Sequence, residues 1–136
     1  MNRIIGLDYG ERRVGVAVSD PLRLTAQPIT VLVVDEGLER QLRVLAAEYQ
    51  PERIVIGLPT SLAGGEGPTA VAAREFGESV ADITGVTVEF YDERFTSVLA
   101  ERALLEADVS RARRKEIKDK VAAAVMLQSY LDERRQ

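Results

Sequence analysis

The chain has 136 residues, of which 46% are apolar and 29% are charged, and this is typical of one soluble globular domain, here spanning 1–136. It contains no Cys and no His, which excludes disulfides, thiol nucleophiles and the usual zinc sites. No apolar run is long enough to span a membrane and no signal peptide opens the chain, so we expect a cytoplasmic protein. Any catalysis must therefore depend on carboxylates, Lys, Tyr, Ser or Thr, or on a hard metal ion.

The charge is distributed unevenly. The net charge is −4, but residues 111–120 (RARRKEIKDK) carry six basic and two acidic side chains, a local charge of +4. A basic segment on an acidic protein is typical of a site for anions such as nucleic-acid phosphates. A solvated helix face is the alternative interpretation, because charged runs are common on such faces.

The first half of the chain predicts a strand meander followed by a helix and a buried strand. Two apolar runs lie on either side of YGERR, and Gly10 can take positive φ in such a tight turn. We expect strands over 3–8, 14–19 and 29–33, a helix over 37–49 and a continuous apolar strand over 53–59.

The second half predicts further α/β units. A glycine-rich loop (TSLAGGEG, 60–67) precedes Pro68, which suits the first turn of a helix. We expect helices over 68–84, 97–107 and 113–133, with a strand over 86–93. The whole order predicts an α/β fold with a five-stranded mixed sheet and helices on both faces.

Three carboxylates are predicted to meet at one edge of this sheet. Asp8 ends the first strand and Glu93 ends the last one, and parallel strands present their carboxyl ends at the same edge. Asp119 lies on the apolar stripe of the final helix, together with Ala122, Ala123 and Met126.

Three converging carboxylates without a His favour a divalent cation, because uncompensated acids repel one another. Oxygen ligands suit Mg²⁺ or Mn²⁺, and two such ions would activate a water and stabilise the leaving oxygen in phosphodiester hydrolysis. Each acid also has a structural interpretation. Asp8 could form a turn, Glu93 could pair with Arg94 or cap a helix, and Asp119 could pair with Lys115 one turn earlier.

Four segments resemble one protein family. They are GLDYGERRVGVAVSD (6–20), IVIGLPTSLAGGEGP (54–68), DERFTS (92–97) and KDKVAAAVMLQSYLD (118–132). Together they are similar to the four sequence blocks of the YqgF/RuvX-like family, and they span nearly the whole chain. The resemblance implies an RNase H-like fold and a nuclease, described for the family as Holliday junction resolvase-like or as a pre-16S rRNA nuclease.

Carried over position by position, the resemblance places the family's catalytic and metal-binding acids at Asp8, Glu93 and Asp119. Arg13 and Thr96 also match motif positions. In the glycine loop this chain has Ala63 where the family commonly has Asp before the glycine, which leaves the role of that loop open between an active-site loop and a plain connector.

The function predicted from these features is a metal-dependent endonuclease that acts on pre-16S rRNA. We expect it to use Mg²⁺ or Mn²⁺, with two ions in a two-metal mechanism. A pre-ribosomal particle is a predicted partner, and the protein is expected to be a monomer or a homodimer. The predicted nucleic-acid contacts are Arg13, Arg94, Thr96, Arg113, Arg114, Lys115 and Lys118.

Three other functions remain open. A Holliday junction resolvase would act on branched DNA and is expected to work as a dimer, since it cuts two strands symmetrically. A non-catalytic nucleic-acid-binding factor could use the same fold. An ATP-dependent phosphotransferase of the actin-like group is the third, because GLDYG resembles the phosphate-binding hairpin of those enzymes, which need two such domains.

Overall fold

The computed structural model describes residues 2–58, 67–92 and 111–134, with the main chain alone over 111–116. Within these ranges the chain forms β1 (Ile4–Tyr9), β2 (Arg13–Ser19), β3 (Ala26–Val33), α1 (Leu38–Tyr49), β4 (Arg53–Leu58), α2 (Pro68–Thr84), β5 (Thr87–Asp92) and α3 (Arg111–Arg134). The helix predicted over 97–107 lies outside the described residues. No helix in the described ranges is long and apolar enough to cross a membrane.

The five strands form one sheet in the order β3-β2-β1-β4-β5. The first three strands are antiparallel neighbours, and β4 pairs in parallel with both β1 and β5. This confirms the predicted mixed sheet that opens with a meander. Because β1, β4 and β5 run in the same direction, their carboxyl ends lie at one edge of the sheet, which we call the carboxyl edge.

Alternation along the strands divides the core into two layers. One face packs against α1 and α2 and buries twelve side chains, namely Ile5, Leu7, Val14, Val16, Val18, Leu32, Leu42, Leu45, Ile54, Ile56, Phe76 and Val80. The opposite face packs against α3 and buries Ile4, Ala17, Val55, Ala123, Ala124, Met126, Leu127, Tyr130 and Leu131. The sheet therefore has helices on both faces, as predicted.

Two helix boundaries follow directly from the sequence. Pro68 occupies the first turn of α2, where its missing N–H costs no hydrogen bond. Gly85 ends the same helix in the left-handed region, at φ 73°, and its N–H donates to the Ala81 carbonyl.

Strand β3 begins three residues earlier than predicted, at Ala26 rather than Ile29. Pro28 is paired with Ala17 beside a register shift that leaves Ile29 as the additional residue of a bulge. The strand tolerates this proline because β3 lies at the edge of the sheet. There the absence of a backbone N–H donor for strand pairing costs little free energy.

Candidate active site at the carboxyl edge

Asp8 lies at the carboxyl edge on the face of the sheet that α3 covers. It is the fifth residue of β1 and pairs with Gly15 of β2. Alternation places it on the same face as Ile4, which is buried against α3, and Gly6, whose Cα faces the Leu127 side chain. The side chain of Asp8 is half-buried.

Asp119 reaches the same place through a close contact between main chains. A Cβ built on Gly15 would lie 2.0 Å from the Asp119 carbonyl oxygen and 2.6 Å from its carbonyl carbon. No side chain fits there, so Gly15 allows α3 to lie directly on β2. Because Gly15 is the strand partner of Asp8, this contact places the main chain of Asp119 beside the strand position of Asp8.

The predicted stripe on α3 is also present. Ala122, Ala123 and Met126 are all buried against the sheet, and the small alanine side chains permit the short distance between helix and sheet. Asp119 stands at the end of this stripe, where the covered surface reaches the carboxyl edge, and its side chain remains 27% exposed.

Arg13 forms an ion pair with Asp119. Its Nε lies 2.8 Å from the Asp119 Oδ2, an atom with almost no solvent exposure. Arg13 is the first residue of β2 and shares its α3-facing side with Gly15. Both residues are candidates from the sequence, where Arg13 is predicted to contact phosphate, but the pairing joins positions 106 residues apart and no sequence pattern predicts it.

The remaining predicted residues are placed less completely. Lys118 is half-buried on α3 next to Asp119. Arg113, Arg114 and Lys115 lie on the first turns of α3, for which the main chain alone is described. Glu93, Arg94 and Thr96 lie outside the described residues, as do residues 60–66 of the glycine loop. Strand β5 ends at Asp92, one residue before Glu93.

The donor set fits a divalent cation of the Mg²⁺ type. Asp8 and Asp119 both offer carboxylate oxygens, the ligands that Mg²⁺ and Mn²⁺ prefer. The described ranges contain no group of three acidic, His or Cys side chains that could hold a metal, and Glu93 is outside them. The charged partner that Asp119 needs is supplied in this structure by the guanidinium of Arg13.

A second polar cluster, which sequence reasoning missed, lies at the opposite edge of the sheet. Arg53 donates to the Tyr130 hydroxyl at 3.0 Å, and Glu89 accepts from Tyr130, Arg53 and Arg134. Burial raises the pKa of Glu89, but the Tyr130 hydrogen bond and the charges of Arg134 and Arg53 outweigh it, so the pKa lies below its usual value. Nothing in the local sequence signals this cluster, because its members come from β4, β5 and α3.

Comparison with known proteins identifies the family. A family model described as "RuvX: Holliday junction resolvase" matches residues 2–133. The chain belongs to this family. A relative from Clostridium botulinum (strain Eklund 17B / Type B), named "Putative pre-16S rRNA nuclease", is 50% identical over 132 residues, which is 96% of each chain. A relative of the same name from Myxococcus xanthus (strain DK1622) is 51% identical over 98% of this chain and 89% of its own length. The resemblance of the four segments is thus confirmed, and RuvX is a nuclease family.

Solved structures show the same fold. This chain superposes on T. thermophilus RuvC in complex with a Holliday junction substrate with a TM-score of 0.56 at 16% identity, covering 99% of this chain and 96% of that one. It superposes on the Fowlpox virus resolvase in complex with Holliday junction DNA with a TM-score of 0.59 at 13% identity, covering 98% and 99%. The predicted RNase H-like fold is therefore confirmed.

Proposed function

We propose that this protein is a divalent-metal-dependent endonuclease that hydrolyses phosphodiester bonds at the 5′ end of pre-16S rRNA. The observation that carries the proposal is the meeting of Asp8 and Asp119 at the carboxyl edge, through the contact between Gly15 and the Asp119 main chain. Membership of a nuclease family and relatives named for pre-16S rRNA support the reaction and the substrate.

Asp8, Glu93 and Asp119 are the residues that we propose to hold the metal. Glu93 follows the last residue of β5, and β5 runs parallel to β1, so the sequence continues from the edge where Asp8 and Asp119 lie. A bound divalent cation would supply Lewis-acid stabilisation of charge on the phosphate oxygens and lower the pKa of a coordinated water. The protein's own contribution is to fix the acids in place before substrate arrives.

The cationic side chains around this edge are proposed to position the phosphodiester backbone. Arg13 and Lys118 lie beside Asp119, and α3 begins with the basic segment 111–120. Guanidinium and ammonium groups contact phosphate oxygens without reading base sequence, so binding should weaken steeply with salt. The further contacts proposed from the sequence are Arg94, Thr96, Arg113, Arg114 and Lys115.

Cleavage of a Holliday junction is the second candidate, favoured by the fold shared with two resolvases that were solved with junction DNA. We propose the ribosomal precursor first, because relatives near 50% identity carry that name whereas the junction-bound structures are below 20% identity. A pre-rRNA substrate would place the protein in the cytoplasm, acting on a pre-ribosomal particle. A junction substrate would require a homodimer to cut two strands.

The test is cleavage of two end-labelled substrates, a pre-16S rRNA leader and a four-way DNA junction, with Mg²⁺, Mn²⁺ or EDTA. We expect the wild-type protein to cut the leader with either metal, and EDTA to abolish cleavage. Asp8→Asn keeps the shape of the side chain but removes its charge, so it should lose cleavage while remaining folded. Asp82→Asn, an exposed acid on α2, is the matched control and should cut like wild type.

Selective cleavage of the junction would replace the proposed substrate with branched DNA. Equal cleavage by wild type and Asp8→Asn would show that the acid edge is not the active site. Binding of the leader without cleavage under any metal would replace the enzyme with a nucleic-acid-binding factor.

A further inference from the structure

A cavity of about 370 Å³ opens at the edge of the sheet opposite Asp8. Its charged lining consists of Arg23, Arg53 and Arg134, and Tyr130 contributes its phenol ring. The apolar floor comes from Ile4, Leu22 and Leu131. The protein carries a net charge of −4, so three arginines around one opening are an uneven local concentration of positive charge.

Two of these arginines are held in place by hydrogen bonds to neighbouring side chains. Arg53 donates through Nη1 to both Tyr130 and Glu89, and the hydrogen bond to Tyr130 holds the pKa of Arg53 above its usual value. Arg134 also donates to Glu89, and its guanidinium lies 4.7 Å from the centre of the Tyr130 ring. A guanidinium has five N–H donors, so groups fixed in this way retain donors for a ligand.

The third arginine is carried by a tightly organised loop. Asp20 accepts hydrogen bonds from the N–H groups of Leu22, Leu24 and Thr25, which closes the connection between β2 and β3. Within this loop Arg23 has φ 59°, the left-handed region that costs a residue with a side chain free energy. Its Nε donates to the Asn2 carbonyl at 2.8 Å, and its Nη2 pairs with Glu52. The loop therefore holds Arg23 in a strained backbone conformation that places its guanidinium at the rim of the cavity.

We propose that this cavity binds a backbone phosphate of the nucleic-acid substrate, at a distance from the bond that is cut. The inference rests on the proposed function and extends it by a second contact. Planar guanidinium groups match phosphate oxygens better than any other side chain does. None of the described residues that line the cavity is acidic, and Glu52 and Glu89 pair with the arginines from outside this lining.

Helix α3 links this cavity to the candidate active site. Asp119 and Arg134 are fifteen residues apart on α3, which corresponds to about 22 Å along a helix. Residues 121–131 between them carry no charged side chain, and the two acids that follow, Asp132 and Glu133, accept hydrogen bonds from Gln128 and Tyr91. A B-form duplex rises about 3.4 Å per base pair and an A-form RNA duplex rises less, so the two contacts would lie roughly six to eight base pairs apart on a substrate.

The experiment compares salt-dependent binding of two RNA hairpins, one with a stem of about 5 base pairs and one of about 20, sizes chosen from that spacing. Both are measured in an Asp8→Asn background, in which the proposed mechanism does not cut the RNA. The test variant is Arg23→Gln combined with Arg134→Gln, which keeps Arg53 and its contacts with Tyr130 and Glu89. The control is Arg43→Gln, an arginine on α1 that pairs with Glu39 and lies on the other face of the sheet.

We expect the double variant to bind the long hairpin more weakly, with a slope of log Kd against log[salt] reduced by about 1 to 2, the effect of losing one or two phosphate contacts. The short hairpin should bind as it does to the parent, because it cannot reach both sites. Arg43→Gln should bind both hairpins as the parent does.

An unchanged slope on the long hairpin would overturn the inference, and so would an equal loss on both hairpins. A parallel titration with inorganic phosphate, read from the NMR resonances of the arginine Nε–H groups, distinguishes the source of the phosphate. Phosphate binding at Arg23 with an unchanged long-hairpin slope would assign the cavity to small phosphate compounds and overturn the nucleic-acid assignment. Failure of the parent to bind either hairpin would contradict the proposed function itself.

Discussion

Nε of Arg13 lies 2.8 Å from Oδ2 of Asp119, so the second strand supplies the counter-charge for an acid on the last helix. The pair lies beside Gly15, the strand partner of Asp8, at the place where a divalent cation is proposed to bind. A cation that uses Oδ2 of Asp119 must compete with the guanidinium. Metal binding would then release Arg13, whose donors become available to a substrate phosphate.

Substitution of Arg13 by Gln should therefore tighten metal binding. A partly exposed ion pair contributes about 1 kcal/mol, so losing the competitor should lower the Kd for Mn²⁺ about fivefold. Without metal the same variant should be less stable than wild type, because Asp119 loses its counter-charge. Calorimetric titration with Mn²⁺ and thermal unfolding with and without metal measure both effects.

Arg12→Gln is the matched control for Arg13. Arg12 is the exposed neighbour of Arg13 in the sequence, and its substitution removes the same charge without touching the ion pair. It should change metal affinity much less. Weaker metal binding by Arg13→Gln would show instead that the guanidinium serves to hold Asp119 in position for the metal.

Gly15→Ala should destabilise the protein and displace Asp119. The added Cβ would lie 2.0 Å from a main-chain oxygen, and neither the strand nor the helix can yield without losing packing on this face. Overpacking of this kind costs on the order of 1–3 kcal/mol in the free energy of unfolding. Urea unfolding measures the loss, and the Kd for Mn²⁺ should rise because Asp119 moves away from Asp8.

Gly67→Ala provides the stability control for Gly15. Gly67 precedes α2 at φ −85°, and a Cβ there would meet no atom of the described part of the chain within 4 Å. Alanine fits this conformation and restricts the unfolded chain, so the variant should be as stable as wild type or more stable by a few tenths of a kcal/mol. Equal unfolding free energies for Gly15→Ala and wild type would contradict the close contact.

Glu89 should make stability depend on pH in the acid range. The pKa of Glu89 is lower in the folded protein than its ordinary value of 4.5, so the charged form stabilises the fold above that pH. This contribution is lost as pH falls through the lowered folded pKa. Because a third of the side chain is exposed, we expect no more than about 1 kcal/mol.

Unfolding of Glu89→Gln and wild type at pH 7 and near pH 3 measures this contribution. The difference in unfolding free energy should be largest at pH 7 and should shrink as the pH falls towards the lowered folded pKa of Glu89. Glu39→Gln removes a carboxylate whose side chain is 59% exposed and should change stability little at either pH. A difference that stays constant with pH would refute the role of charge at Glu89.

The parts of the fold that depend on local pattern could be predicted from the sequence. These parts are the alternation in β1 and β2, Pro68 and Gly85 at the ends of α2, and the stripe that contains Asp119. Each of them depends on residues that are close together in the sequence. The early start of β3 could not be predicted, because Pro28 ordinarily excludes a strand and is tolerated here only at an edge.

The sequence predicts that Asp8 and Asp119 lie at one edge of the sheet, but not the contacts that hold them there. Strand order and direction place Asp8 and the end of β5 at one edge of the sheet. The order of strands and helices along the chain supports this inference. The pairing of Arg13 with Asp119 and the contact at Gly15 are long-range consequences of how closely α3 packs. Such contacts have no periodicity or spacing in the sequence that would reveal them.

The most direct test of the active-site proposal is Mn²⁺ binding measured by calorimetry on wild type, Asp8→Asn, Asp119→Asn and the control Asp82→Asn. If Asp8 and Asp119 share a metal, each of their substitutions should weaken binding by tenfold or more, which corresponds to about 1.4 kcal/mol, while Asp82→Asn binds as wild type does. Equal affinity in all four proteins would contradict a metal site at the carboxyl edge.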